Sequence, residues 1–278
     1  MSGQCYTVVS GKGGVGKSML VVALGASFAL EGKSVALVDV NTGMRGLDLM
    51  LGMENRIVFD LGDVLEGHCE VRQALVREKS TGMRVIAARQ ISDTDWLSEE
   101  GLLGLTKILR EQFDVVLLDS ASGIGRGFTA AVRAAGSAIL LTTPDDMALR
   151  DADRITGLLH RLDVPSPQVV INRIREDLVD AQLQYMPEVC AQVLDLPICG
   201  VIPEDDQILR ATLSKRPAIG GCRGAKAIEN FKWRLHDRKI PLLPWREEKR
   251  AGPAVEKTGF WRRKRGRLIE EAAFYAEE

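Results

Sequence analysis

Near the start of the chain, Gly11-Lys12-Gly13-Gly14-Val15-Gly16-Lys17-Ser18 has the types and spacing of a phosphate-binding loop, Gly-x-x-x-x-Gly-Lys-Ser. In such a loop the glycines let backbone N–H groups turn inward around phosphate oxygens. A lysine reaches the β- and γ-phosphates, a serine hydroxyl holds Mg²⁺, and the positive end of the next helix favours the anion. Here Lys17 and Ser18 would take those tasks, within a cradle of Gly11, Lys12, Gly13, Gly14, Val15 and Gly16. Two carboxylates complete the set. Asp39 ends the run Ser34-Val35-Ala36-Leu37-Val38, and Asp119 ends Phe113-Asp114-Val115-Val116-Leu117-Leu118. The carboxyl end of a buried parallel strand is where open α/β sheets place ligands, and a carboxylate there steadies Mg²⁺ through water. The bland alternatives are a chance glycine-rich turn and an aspartate that merely caps the next helix. The strand–loop–helix context favours a nucleoside triphosphate site with Mg²⁺.

To bring these groups together the chain has to alternate strands and helices. Apolar runs at 6–9, 34–39, 83–88, 113–119, 137–144 and 168–173 read as strands. Residues 18–30, 98–112, 147–162 and 178–193 read as helices, and 61–65 and 71–76 as short helical pieces. In 98–112, Leu102, Leu103, Leu105, Ile108 and Leu109 fall at the spacing of a stripe facing a sheet. Right-handed strand–helix–strand connections then give a three-layer α/β fold: a mainly parallel sheet with helices on both faces.

Lys12, directly after the first glycine, makes the loop resemble that of the deviant Walker A (MinD/ParA) family of ATPases. The resemblance runs from about residue 6 to about residue 235 and is nearest to the MinD branch. Asp39, Gly43, Arg45, Leu47, Asp48 and Leu49 match that branch's first switch, and Gly200-Val201-Ile202-Pro203-Glu204-Asp205 matches the loop that backs adenine. The family implies an ATP-dependent homodimer in which Lys12 reaches the partner's phosphates, with Asp39 and Asp119 serving metal and water. It also implies that Asn172 and Pro203 border adenine and that the Gly123 N–H meets the γ-phosphate. Read without the family, Asn172 equally well ends a strand and starts a turn. Implied partners are a MinC-like division inhibitor, a MinE-like or other topological regulator, and an anionic membrane surface.

Two departures bear on the chemistry. Asn41 stands where the family has a second aspartate; an amide orients water but cannot take its proton or supply its charge. Slow turnover with binding preserved is the expectation. In Ser120-Ala121-Ser122-Gly123, which matches the second switch Asp-x-Pro-Ala-Gly from its second position, Ala121 replaces the proline. Met19 stands where a second hydroxyl is common.

Of the 278 residues 45% are hydrophobic and 27% charged, ample for one large α/β domain. A net charge of −1 argues against a wholly basic nucleic-acid binder. Cys5, Cys69, Cys190, Cys199 and Cys222, and the three histidines, lack disulfide or metal spacing. Without a signal peptide or a run of ~20 apolar residues, the expected location is cytoplasmic.

The domain plan is 1–236 for the ATPase domain, 237–258 for a charged, proline-containing linker, and 259–278 for a membrane-targeting segment. In that last segment Phe260, Trp261, Leu268 and Ile269 supply the apolar side and Arg262, Arg263 and Lys264 the basic one. Against it stand Gly266 and the terminal glutamates; a disordered charged tail and a nucleic-acid contact remain open. The expected function is an ATPase, peripheral on the inner membrane face, that positions the division septum. The alternatives are a ParA-type DNA partition ATPase, disfavoured by the charge, and a barely hydrolysing ATP-gated scaffold. An iron–sulfur carrier of the same superfamily would need a bridging cysteine pair, which Cys190 and Cys199 do not make.

Overall fold

The computed structural model describes residues 2–43, 45–90, 97–164, 166–236 and 239–246. Its strands are β1 (Gln4–Val9), β2 (Val35–Asp39), β3 (Val76–Arg77), β4 (Arg84–Ile86), β5 (Val115–Asp119), β6 (Ala138–Thr142), β7 (Gln168–Ile174) and β8 (Ile198–Pro203). The helices of the first half are α1 (Lys17–Ala29), α2 (Leu47–Met50), α3 (Leu61–Leu65), α4 (Val71–Ala74), α5 (Glu99–Gln112) and α6 (Arg126–Ala135). Those of the second half are α7 (Asp146–Arg161), α8 (Glu176–Asp180), α9 (Pro187–Leu194), α10 (Asp206–Leu213) and α11 (Arg223–His236).

The strands form one sheet in the order β3-β4-β2-β5-β1-β6-β7-β8, parallel except for the β3–β4 pair. This is the expected three-layer α/β architecture. Successive strand residues face opposite ways. Val8, Leu37, Leu117, Ile139 and Val170 enter the apolar layer under α1 and α11. Val9, Val38, Leu118, Leu140 and Val169 enter the layers under α5, α6, α7 and α9. Such strands are covered on both faces, which is why they read as continuous apolar runs. Helix α1 is buried on nearly every side, because α11 packs over it. Lys232, itself buried, pins the two together by donating to the Ser27 carbonyl at 3.2 Å, at the α1 C-terminus.

Three local readings are corrected. The helix expected over 178–193 is broken into α8 and α9: Gln182 takes φ 60° and Met186 is extended ahead of Pro187. A residue before proline is disfavoured in the helical region, and proline suits a helix's first turn. The helical piece expected over 71–76 stops at Ala74, and Val76 turns into β3. The strand expected over 83–88 is regular only over β4.

Residues 239–246, inside the stretch read as a linker, lie against the domain. Leu243 packs on the α1–α11 layer and Leu242 and Trp245 on the opposite one. Arg234 donates to the Cys199 carbonyl at 2.8 Å and to the Ile240 carbonyl, joining this strap to β8, the last strand of the sheet. A guanidinium on an edge strand's carbonyls blunts an edge otherwise open to another chain. Residues 247–278, including Phe260, Trp261, Arg262, Arg263, Lys264, Leu268 and Ile269, lie outside the described residues.

Candidate functional site

The site is assembled at the carboxyl ends of β1, β2 and β5. Asp39 and Asp119 are register partners on adjacent strands, and Val8 is the partner of Asp119 on the other side. The loop leaves β1 and enters α1 through Gly16, at φ 101°. A side chain there is strained, and a β-carbon would lie 2.6 Å from Asn172 Nδ2. Gly11 serves close approach: a β-carbon on it would meet the Asp151 backbone of α7 at 2.5 Å.

Within this frame Lys17 is buried, with its Nζ 3.0 Å from Ser10 Oγ and 3.2 Å from Ser122 Oγ. Gly46 abuts both Ser18 and Asp39: a β-carbon there would sit 3.3 Å from Ser18 Oγ and 4.0 Å from Asp39 Oδ2. Asp39 is fully buried and accepts from the backbone N–H groups of Asn41 (3.0 Å), Gly46 (2.8 Å) and Leu47 (3.0 Å). Asp119 is equally buried, and the Ser18 hydroxyl and Lys17 are the groups beside it that favour its charged form.

The electrostatics follow from that geometry. Burial pushes Asp119 up to about 7, and the neighbouring Asp39 carboxylate pushes the same way. Burial lifts Asp39 to about 6 against the pull of its three backbone donors. Burial lowers Lys17 from the usual lysine range, while Asp119 opposes that shift. Two fully buried carboxylates side by side are costly unless a cation joins them. A hydrated Mg²⁺ fits this donor set: hard oxygen ligands beside a serine hydroxyl.

Both switch segments fold back on the site. In the first, Gly46 and Leu47 close over Asp39, Arg45 pairs with Asp48, and the Asn41 amide N–H is spent on Asp39. In the second, Ser120 Oγ donates to the Val8 carbonyl at 2.8 Å and the Gly123 N–H to the Ser10 carbonyl at 3.1 Å. The N–H expected on a γ-phosphate is thus engaged with β1's own end. Asn172, 2% exposed, donates from Nδ2 to the Val15 carbonyl at 2.7 Å, bracing the phosphate loop. Pro203 is buried at the end of β8, one strand beyond Asn172.

Lys12 lies outside this cluster. Its Nζ pairs with Asp145 Oδ1 at 3.4 Å, both residues half-buried. Asp145 caps α7 by accepting from the Ala148 N–H at 3.1 Å. The structure brings Lys17, Ser18, Asp39, Asn41 and Asp119 together at one end of the sheet, and places beside them or beside Lys12 three residues not singled out in the sequence, Ser10, Ser122 and Asp145. Asp145 carried a signal, an acidic residue directly before a helical pattern; the two serines carried none.

The sheet, the loop and the paired aspartates define a P-loop ATPase of the three-layer α/β class. Residues 6–218 match the CobQ/CobB/MinD/ParA nucleotide binding domain family. The chain is 36% identical over 263 residues to the septum site-determining protein MinD of Bacillus subtilis, covering 93% of this chain and 98% of that one. It superposes with a TM-score of 0.80 on a structure described as the Aquifex aeolicus MinC:MinD cell division protein complex, at 33% identity over 87% of this chain and 99% of that one. A MinD from Pyrococcus horikoshii complexed with Mg-ADP gives 0.76 at 25% identity, over 85% and 97%. The chain belongs to the MinD group of this family.

Proposed function

We propose that this chain binds ATP and Mg²⁺ at the site described, dimerises on ATP, and as a dimer occupies the inner membrane face to help place the division septum. Lys17 and the phosphate loop take the phosphates, Ser18 with Asp39 and Asp119 takes the metal, and Asn172 and Pro203 border the adenine. Lys12 acts across the dimer. The observation that carries the reading is the divergence of the loop's two lysines. Lys17 is buried beside the aspartates, whereas Lys12 is half-buried and reaches away from them to Asp145. Likeness to a MinC:MinD complex supports a MinC-like division inhibitor as partner, with a MinE-like or other topological regulator.

In this reading residues 1–236 are the ATPase domain and 259–278 the membrane-targeting segment, joined through 237–258. Among the described residues no helix is long and apolar enough to cross a membrane; in this reading the tail makes the attachment. One short amphipathic helix holds lipid marginally, and two on a dimer gain roughly 10² or more through effective concentration. ATP then sets membrane residence. A second reading, a barely hydrolysing ATP-gated scaffold, draws on Asn41, whose amide cannot act as a base.

Co-sedimentation with anionic vesicles under ATP, ADP and no nucleotide tests the proposal. Pelleting with ATP alone is the expected result, abolished by deleting residues after 259. Equal pelleting in all three conditions, or none with ATP, contradicts it.

A further inference from the structure

The groups a triphosphate needs most are already engaged by this chain's own atoms. Lys17 Nζ is held by Ser10 Oγ at 3.0 Å and by Ser122 Oγ at 3.2 Å. The Gly123 N–H is given to the Ser10 carbonyl at 3.1 Å. Ser10 Oγ itself donates to the Lys12 carbonyl at 2.8 Å, so its lone pair is what faces Lys17. The two serines are not equivalent. Ser10 directly follows β1 and is fully buried, its hydroxyl fixed on the Lys12 carbonyl. Ser122 is exposed, on a segment that Gly123 turns at φ 82° and that has Ala121 in place of the proline of the resembled motif. In that motif the position of Ser122 is alanine, which has no group to offer a lysine.

From this geometry we infer that Ser122 is a positioning residue that competes with the nucleotide's phosphates for Lys17. Capture of Lys17 by phosphate then frees Ser122, and with it the segment from Ser120 to Gly123, whose own N–H has to leave Ser10 to meet a γ-phosphate. The inference rests on the nucleotide-site reading above and adds to it an internal ligand that phosphate has to displace. A hydrogen bond to a charged group is worth roughly a tenfold factor or more when buried. Ser122 is exposed, so removing its hydroxyl is expected to tighten nucleotide binding by about three- to tenfold. The Thr side chain keeps the hydroxyl and the competition.

The test is a titration of the full-length chain with a fluorescent, non-hydrolysable ATP analogue in Mg²⁺, comparing wild type, Ser122→Ala and Ser122→Thr, with association followed by stopped flow. The expected result is a lower Kd and faster association for S122A, with S122T close to wild type. An unchanged or weaker Kd for S122A overturns the competition while leaving the nucleotide site standing. Failure of the wild type itself to bind the analogue overturns the site reading and the inference together.

Discussion

Lys12 and Asp145 are joined within one chain, Nζ to Oδ1 at 3.4 Å, across the gap between the phosphate loop and the N-terminus of α7. A lysine meant for a partner's phosphates has to leave such a pair first. Asp145 is also the α7 cap; burial pushes its carboxyl up, but the Thr143 hydroxyl at 2.6 Å, the Ala148 N–H and Lys12 outweigh that and hold it below the usual carboxylate range.

Asp145→Asn separates the two duties, because asparagine caps a helix as well as aspartate does but leaves Lys12 without an anion. Exposed ion pairs are worth ~1 kcal/mol or less. The ATP-dependent dimer is therefore expected to form about two- to fivefold more readily, read by sedimentation velocity across a concentration series. A weaker dimer would mean that Asp145 serves the assembled state.

The buried aspartates predict a pH dependence opposite to the ordinary carboxylate case. With Asp39 raised to about 6 and Asp119 to about 7, the folded chain holds protons that the unfolded chain has released. The pair's stability is thus greatest below the unfolded value of about 4 and is lost as pH rises through 6 to 7. Asp119→Asn removes much of that loss. Without nucleotide, it is expected to be more stable than wild type at pH 8 by roughly 1–3 kcal/mol, the gap closing as pH approaches 5. Added Mg²⁺ and ATP then stabilise wild type and not the variant. Thermal melts at several pH values decide it; a variant less stable than wild type at pH 8 contradicts the reading.

Asn41 separates binding from chemistry. Its backbone N–H already serves Asp39, a contact aspartate keeps, so Asn41→Asp changes the side chain alone. General-base assistance is worth ~10²–10⁴ in rate, and even partial recovery should raise phosphate release at least severalfold with nucleotide Kd nearly unchanged. Equal turnover for the two proteins removes residue 41 from the chemistry.

What could be read from the sequence was what depends on strand period and local motif. The runs ending in Asp39 and Asp119 are buried on both faces and carry an unbroken apolar signal, so both carboxylates were assigned to strand ends correctly. The phosphate loop needs only its own residues and a following helix. Contacts between distant segments left no trace: Lys17 with Ser122, Lys12 with Asp145, and Gly11 against Asp151 span 105 residues, 133 residues and half the chain. The break between α8 and α9 escaped because apolar positions on both sides kept a helical spacing that Pro187 alone interrupts. The strap at 239–246 read as a linker because it is held by Arg234, Asn230 and Arg223 on α11 and by scattered packing of Leu242, Leu243 and Trp245, not by any period of its own.

If ATP joins two copies through Lys12, the mass in solution, read by light scattering, changes with the nucleotide bound. Wild type and Lys12→Ala are each measured with saturating Mg²⁺ and non-hydrolysable ATP analogue, and again with ADP. Wild type is expected as a dimer with the analogue and a monomer with ADP. K12A, still binding the analogue through Lys17, is expected to remain a monomer in both. A wild type that stays monomeric with the analogue bound, or a K12A that dimerises as well as wild type, contradicts the account.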